Sequence, residues 1–97
     1  MRKFRFHAKA LAETDKAAAY YNEKYAGLEQ RFLDALEDAL THIQRRPLMY
    51  RLVENNIRKC RIPCFPYGII YRLHDEHIEV IAVMHLRKEP EYWQQRL

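Results

Sequence analysis

The sequence predicts an α+β domain in which a two-helix hairpin packs on one face of a small antiparallel sheet, with a short helix at the C-terminus. Two observations lead to this prediction. Apolar residues recur with a helical period between residues 8 and 43, and from residue 57 onward the apolar period changes to two. A chain of 97 residues is enough for one core, so we expect residues 1–97 to form a single domain.

The first two elements are a strand and a helix. Residues 3–7, KFRFH, alternate in character and place Phe4 and Phe6 on one face of a short strand. An Ala-rich segment with a helical period follows, from about residue 8 to residue 25. Gly27 stands where this helix would end in a left-handed cap, because glycine adopts positive φ without steric cost.

The second helix is predicted by a continuous apolar stripe on one of its faces. Arg45 and Arg46 suit the negative end of a helix dipole, and Pro47 cannot continue the helix. The short link at Gly27 makes the two helices an antiparallel hairpin. The stripe consists of Leu28, Phe32, Ala35, Leu36, Ala39, Leu40 and Ile43.

Three strands are predicted after an irregular stretch that spans residues 48–56. Their sequences are IRKCRIP, FPYGIIYRL and HIEVIAVMHL. Asp75 and Glu76 form a plausible two-residue turn between the last two strands. An uninterrupted ladder from this turn pairs Arg72 with Glu79, an opposite-charge pair that favours the register. The same ladder pairs Tyr71 with Val80, Gly68 with Val83 and Pro66 with His85.

This register assigns the side chains to two faces of the sheet. The apolar face is expected to meet the helix hairpin, and it contains Phe65, Tyr67, Ile69, Tyr71, Leu73, Ile78, Val80, Ala82, Met84 and Leu86. The other face is half polar, so we expect it to be open to solvent or to a partner. It would carry Lys59, Arg61, His85 and Arg87, and a last helix should begin near Glu89 and Pro90.

Composition limits the classes of protein that fit. No apolar run is long enough to span a bilayer, and the charged N-terminus does not resemble a signal peptide, so we expect a cytoplasmic protein that does not bind membranes. Cys60 and Cys64 have no second cysteine pair to complete a zinc site, and the five histidines are scattered. We therefore expect reduced thiols, no metal and no cofactor.

Positive charge is concentrated in one part of the chain. The net charge is +4, and the segment from residue 55 to residue 74 contains Arg58, Lys59, Arg61 and Arg72 without any acidic residue. Such a local field suits phosphate or an acidic protein segment. A solvated strand that happens to carry these charges fits the same pattern.

The end of the last strand gathers groups that suit phosphodiester chemistry. His85 can donate or accept a proton near neutral pH, Arg87 can bind phosphate oxygens in a bidentate manner, and Lys88 and Tyr92 lie close by in the sequence. A ribose 2′-hydroxyl could serve as the nucleophile without a metal. The alternative is that Glu89 and Pro90 only begin a helix and that the cations are solvated.

The order of elements, with the motifs FPYGIIY (residues 65–71) and H-x-R-K-x-P-x-Y-W (residues 85–93), resembles the RelE/ParE superfamily of bacterial toxins and its plasmid-stabilisation branch. The resemblance covers nearly the whole chain. It implies the toxin half of a type II toxin–antitoxin pair, which inhibits growth and forms a hetero-oligomer with a cognate antitoxin. Members of the superfamily are either ribosome-dependent mRNA endonucleases or poisons of DNA gyrase.

Residue by residue, the resemblance to the endonuclease branch implies a catalytic role for His85, Arg87 and Tyr92. It implies that Lys59, Arg61 and Arg87 hold phosphate. The residues expected to bind nucleic acid or a partner are Arg58, which the local charge adds, Lys59, Arg61 and Lys88. One position departs from the endonuclease pattern, because Gly68 stands where those members commonly carry arginine after the tyrosine of the central strand.

Three interpretations remain open at this point. The chain is a metal-independent mRNA interferase that acts on RNA at the ribosome, or a non-catalytic ParE-like toxin that poisons DNA gyrase, or a homologue that has lost toxicity and acts only with its antitoxin.

Overall fold

Five strands, two long helices and a C-terminal 3₁₀ helix make up the protein, in a computed structural model that describes residues 1–97. The α+β prediction, with a helix hairpin on one face of a mostly antiparallel sheet, is confirmed. Neither long helix has the length and apolar character that a membrane crossing requires. In chain order the elements are β1 (Lys3–Phe6), α1 (Ala8–Lys24), α2 (Leu28–Arg45), β2 (Arg51–Glu54), β3 (Ile57–Arg61), β4 (Tyr67–Leu73), β5 (His77–His85) and the 3₁₀ helix (Tyr92–Arg96).

The strands lie in the order β1-β5-β4-β3-β2 across one sheet. The strands β2, β3, β4 and β5 are joined by antiparallel hairpins. β1 lies parallel to the first half of β5 at the sheet edge, with Phe4 opposite Ile78. Because β1 spans only residues 3–6, the second half of β5 has no strand beside it on that edge. This uncovered half of β5 lies next to α1.

The stretch predicted to be irregular contains a strand, so that prediction is wrong for residues 51–54. β2 pairs with β3, and Arg51 lies opposite Lys59. The turn between them uses Asn55 with φ of 38°, a conformation that asparagine tolerates better than most residues. The pair Asn55-Asn56 between two β-rich segments is therefore the signal for this hairpin.

The helix hairpin forms as predicted, but Gly27 has a different role from the one expected. α1 begins after His7, whose Nδ1 accepts the Lys9 N–H, and it ends at an extended Tyr25. Gly27, with φ of 84°, is the residue from which α2 starts, and its carbonyl accepts the Arg31 N–H. The prediction of a glycine with left-handed backbone conformation in the link is confirmed. Gly27 turns the chain into the second helix and does not cap the first.

One face of the sheet packs on the hairpin to form the larger core. Phe32 of α2 lies 5.4 Å from Tyr67 between ring centroids, and Ile69 and Tyr71 are fully buried in the same cluster. The Tyr71 hydroxyl donates to the Pro47 carbonyl at 2.6 Å, which ties the end of α2 to the sheet. The predicted orientation of these β4 side chains is confirmed.

A β-bulge in β5 breaks the predicted register halfway along the strand. Arg72 pairs with Glu79 and Tyr71 with Val80, as predicted, but Ile70 pairs with Ala82, so Ile81 is an extra residue. Side chains alternate between faces along a strand, and an inserted residue therefore moves every later side chain to the opposite face. As a result, Val83 packs in the helix-side core, whereas Ala82 and Met84 do not.

The second face of the sheet is not open along its whole length, contrary to expectation. Its centre is a smaller buried cluster, closed by Trp93 of the 3₁₀ helix, which is 2% exposed. The predicted C-terminal helix thus begins at Tyr92, two residues after Pro90, and lies over the sheet. The cluster consists of Ile57, Ile70, Ile81, Ala82, Met84 and Trp93.

Replacing Trp93 by alanine should lower the free energy of unfolding by about 3–5 kcal/mol, because it leaves a large cavity over the second face. Leu97→Ala, at a half-exposed apolar position nearby, is the control and should cost less than about 1 kcal/mol. Urea denaturation followed by far-UV circular dichroism measures both values. Equal midpoints for the two variants would contradict the role assigned to Trp93.

Candidate functional site

The bulge separates the predicted site residues into two groups on opposite faces of the sheet. His85 lies opposite Tyr67 and contacts its ring edge-on, with 5.0 Å between the centroids, on the side of the helices. Lys59 and Arg61 lie opposite Ile70 and Gly68 on the second face. The expectation that His85 shares a face with Lys59 and Arg61 is therefore wrong, since it rested on an uninterrupted ladder.

His85 lines a cleft of about 520 Å³ between α1 and the end of β5, which we call the helix-side cleft. Lys88 also lines it, in the turn that follows β5. The other wall comes from α1, so the cleft depends on the helix hairpin and could not be read from the strands alone. The lining residues are Glu13, Lys16, Ala17, Tyr20, Tyr21, Pro66, Tyr67, Val83, His85 and Lys88.

A local hydrogen bond determines which tautomer the neutral His85 imidazole adopts. The Arg87 N–H donates to His85 Nδ1 at 3.1 Å. In the neutral ring the proton therefore resides on Nε2, and the free side of the ring presents a donor. A neutral imidazole of this tautomer has no free lone pair with which to accept a proton from a substrate, so general-base catalysis by His85 would require this turn to open.

A second cleft, of about 590 Å³, lies over β2 and β3 on the second face. It brings Arg51, Lys59 and Arg61 together without an acidic residue, and we call it the basic cleft. Burial, followed by the charges of Arg51 and Arg61, lowers the pKa of Lys59. An anion in this cleft would relieve the mutual repulsion. Its lining residues are Met49, Tyr50, Arg51, Lys59, Arg61 and Leu86.

The presence of glycine at position 68 is explained by the Lys59 side chain, which packs against it. A Cβ at Gly68 would lie 3.0 Å from Lys59 Cε and 3.5 Å from Lys59 Cγ, because the lysine stem crosses the glycine. An arginine at this position, as in the endonuclease pattern, would require the lysine to move. The glycine and the position of Lys59 therefore belong together, and the cleft lacks the guanidinium that the endonuclease branch places there.

Tyr92 is held by Glu13 and Arg96 and does not lie beside the basic cleft. Its hydroxyl donates to Glu13 Oε2, and the Arg96 guanidinium donates to both oxygens of the same carboxylate, at 2.8 and 3.0 Å. Burial and the hydrogen bond to Glu13 raise the pKa of Tyr92. The hydroxyl is thus a structural donor at neutral pH, in a group that we call the Glu13 cluster.

The Glu13 cluster also closes the uncovered edge of β5. The Val83 N–H donates to Glu13 Oε1 at 3.1 Å, and Arg96 Nη1 donates to the Ile81 carbonyl at 3.0 Å. These two side chains supply the partners that a neighbouring strand would otherwise give to the bulged segment. Glu13 was absent from the predicted site. A single carboxylate in the middle of α1 carries no sequence signal for this role.

The remaining predicted residues have separate environments. Arg58 lies opposite Tyr71 on the helix side and donates from Nη1 to the carbonyls of Leu48, at 3.2 Å, and Tyr50, at 2.7 Å. It therefore holds the approach to β2 in place. Arg87 is exposed in the turn after β5 and lines neither cleft. Arg51, which the sequence reasoning missed, was hidden because its strand was not predicted.

Comparison with known proteins agrees with the fold. Residues 4–90 match the family model described as the ParE toxin of the type II toxin–antitoxin system, parDE. Among solved structures, a chain of the chromosomal ParDE toxin–antitoxin system from P. aeruginosa superposes with a TM-score of 0.63. The two chains are 14% identical, and the match covers 88% of this chain and 96% of that one. No curated protein matches the sequence.

Replacing Glu13 by glutamine should destabilise the protein by about 2 kcal/mol at neutral pH, because it weakens charge-assisted hydrogen bonds. Burial alone would raise the pKa of Glu13, but the hydrogen bonds from Arg96, Tyr92 and Val83 outweigh it and lower the pKa below 4.5. A carboxyl whose pKa is lowered by folding stabilises the protein above its unfolded pKa and loses this contribution as the pH falls through the folded pKa.

The difference in stability between the wild-type chain and Glu13→Gln should therefore be largest near pH 7 and shrink below about pH 4. Urea denaturation at a series of pH values measures it. Glu23→Gln, at an exposed position of the same helix, is the control and should show no such dependence. A Glu13→Gln difference that stays constant down to pH 3 would contradict the role of the ionised carboxylate.

Proposed function

The chain belongs to the ParE toxin family of type II toxin–antitoxin systems, and from this premise we propose that it inhibits growth by binding DNA gyrase and not by cleaving RNA. The observation that carries the proposal is the separation of His85 from Lys59 and Arg61 by the bulge in β5. An endonuclease needs its acid–base group and its phosphate-binding cations around one scissile bond. Here Lys59 and Arg61, the cations that the endonuclease pattern assigns to phosphate, lie on the opposite face of the sheet from His85.

The protonation chemistry of the candidate catalytic residues supports the same proposal. His85 Nδ1 is occupied by the Arg87 N–H. The Tyr92 hydroxyl is bound to Glu13, and its pKa is raised, so it is a poor proton donor to a leaving group at neutral pH. The roles of His85, Arg87 and Tyr92 in catalysis thus remain predictions of the resemblance.

The basic cleft is the surface that we propose for contact with the target. Arg51, Lys59 and Arg61 line it without an opposing carboxylate, and a cluster of cations with no opposing charge favours an anionic partner. A complex of gyrase with DNA offers phosphates as well as acidic protein segments. The three cations would account for the affinity, and no covalent step is required of the toxin.

The second candidate is the ribosome-dependent mRNA endonuclease, and the same basic cleft is the observation that favours it. Three cations around a cleft of about 590 Å³ suit a phosphodiester as well as they suit DNA held by gyrase. An endonuclease that used the basic cleft would have to work without His85, which lies on the other face of the sheet.

A gyrase supercoiling assay and a cell-free translation reaction with the same purified protein separate the two candidates. We expect inhibition of supercoiling and intact mRNA. Lys59→Gln and Arg61→Gln should each weaken the inhibition by about tenfold, through loss of one anion contact. Lys9→Gln, at an exposed position of α1, is the control and should inhibit like the wild-type chain.

Cleavage of ribosome-bound mRNA by the wild-type chain, with supercoiling unaffected, would overturn the gyrase proposal in favour of the endonuclease. If the folded protein neither inhibits supercoiling nor cleaves mRNA, the third interpretation is favoured, in which the chain is a homologue that has lost toxicity.

Family membership implies an antitoxin, and we propose that its binding segment is acidic and amphipathic and covers the helix hairpin together with part of the basic surface. The hairpin exposes large apolar side chains, with Leu11 50% and Tyr25 75% exposed. Such a segment would gain apolar burial and charge complementarity with a chain of net charge +4.

Expression of the chain alone should slow bacterial growth, and co-expression with the cognate antitoxin should restore it. Leu11→Asp and Tyr25→Asp should stay toxic while the antitoxin rescues growth less effectively, because each places a carboxylate where the acidic segment must pack. Asp15→Ala, at an exposed position of α1, is the control and should be rescued fully. Full rescue of both aspartate variants would place the antitoxin elsewhere.

A further inference from the structure

The helix-side cleft has the size and lining of a small-ligand site, and the proposed contacts with gyrase and with an antitoxin do not require one there. Its volume of about 520 Å³ falls within the range of pockets that enclose small molecules. Its lining combines Tyr20, Tyr21 and Tyr67 with Lys16, Lys88 and His85. A ligand that fits must therefore combine a flat apolar body with an anionic group.

The charge of this cleft is positive and uncompensated. Its only acidic residue, Glu13, already accepts hydrogen bonds from Arg96, Tyr92 and Val83. Lys16 and Lys88 are exposed and take part in none of the ion pairs of the protein. No carboxylate neutralises either ammonium group, although Lys88 Nζ lies 5.5 Å from the centroid of the Tyr92 ring. Both can therefore bind an anion.

His85 adds a donor of fixed position to these cations. Because its Nδ1 accepts the Arg87 N–H, its Nε2 carries a proton whether the ring is neutral or charged. An imidazole N–H and two ammonium groups that line one cleft suit the oxygens of a phosphate. His85 would therefore contribute to binding in a role that differs from proton transfer.

The tyrosine wall suits a planar ring. Tyr20 is 52% exposed, although aromatic residues of this size are usually more deeply buried, and its ring contacts the edge of Tyr21 with 5.3 Å between centroids. Burial raises the pKa of Tyr21 and of Tyr67, so both hydroxyls stay protonated donors. Exposed aromatic rings next to cations are the usual platform for a nucleobase and its phosphate.

We infer that the helix-side cleft binds a nucleoside phosphate, with the phosphate held by Lys16, Lys88 and His85 Nε2–H and the base against Tyr20. Two sources offer this chemistry, a free nucleotide and a single nucleotide unit of an unpaired strand. The site lies on the face opposite the basic cleft. It is therefore independent of the proposed contact with gyrase.

Isothermal titration calorimetry of the full-length chain with adenosine and guanosine 5′-monophosphates tests the inference. We expect saturable binding of at least one nucleotide, and affinities about tenfold lower for adenosine and for inorganic phosphate, each of which lacks half of the contacts. A single-stranded trinucleotide is the second arm. Tighter binding of the trinucleotide assigns the site to a strand, whereas equal or weaker binding assigns it to a free nucleotide.

Lys16→Gln, Lys88→Gln and Tyr20→Ala should each lower the nucleotide affinity by about tenfold without changing the melting temperature, since all three side chains are exposed. Lys9→Gln on the same helix and Lys59→Gln in the basic cleft are the matched controls and should bind like the wild-type chain. Absence of saturable binding, or a loss of affinity confined to Lys59→Gln, would overturn the inference.

Discussion

The contact between Glu13 and the bulged segment of β5 is the interaction on which the arrangement of both clefts depends. A bulge leaves backbone groups without their ladder partners, and a buried N–H or carbonyl without a partner is costly. The Glu13 carboxylate accepts the Val83 N–H, and Arg96 donates to the Ile81 carbonyl. These contacts give the bulge the hydrogen bonds it lacks on the edge that β1 is too short to cover.

The same carboxylate fixes the C-terminus. Its bonds to Tyr92 and Arg96 hold the 3₁₀ helix against α1 and the edge of the sheet, and this position places Trp93 on the second face. A domain of 97 residues buries only a small hydrophobic core. Closing the second face with one indole therefore matters for stability, although the indole N–H of Trp93 is itself buried without a partner.

The bulge also determines which cationic side chains lie on the same face of the sheet. After the inserted residue His85 turns toward α1, whereas Leu86 turns toward the basic cleft. One strand end thus supplies two clefts on opposite faces, each with more positive than negative charge. A single cationic sequence motif is thus divided between two surfaces. This division supports the proposal of a toxin that binds gyrase without cleaving RNA. It also supports the proposal of a nucleoside phosphate in the helix-side cleft.

The local sequence pattern was sufficient to predict every element except β2, in the correct order. The change of apolar period from helical to alternating predicts the two helices and the strands β3, β4 and β5, and the resemblance of the two motifs to RelE/ParE toxins agrees with the family match. Pairing next to the turn at Asp75 and Glu76 was predictable, because Arg72 and Glu79 carry opposite charges and the ladder is regular there. The orientation of Ile69 and Tyr71 followed from the same local rule.

Long-range contacts set how the site residues are combined. Ile81 is one apolar residue within an apolar run, so nothing in the local pattern marks it as the extra residue, and a shift of one residue reverses every face assignment after it. Glu13 and Arg96 are 83 residues apart and meet only when α1 and the 3₁₀ helix flank the same strand. Local periodicity specifies helices and strands because the interactions that form them act between residues that are close in the sequence. The clefts depend on long-range hydrogen bonds that no local pattern encodes.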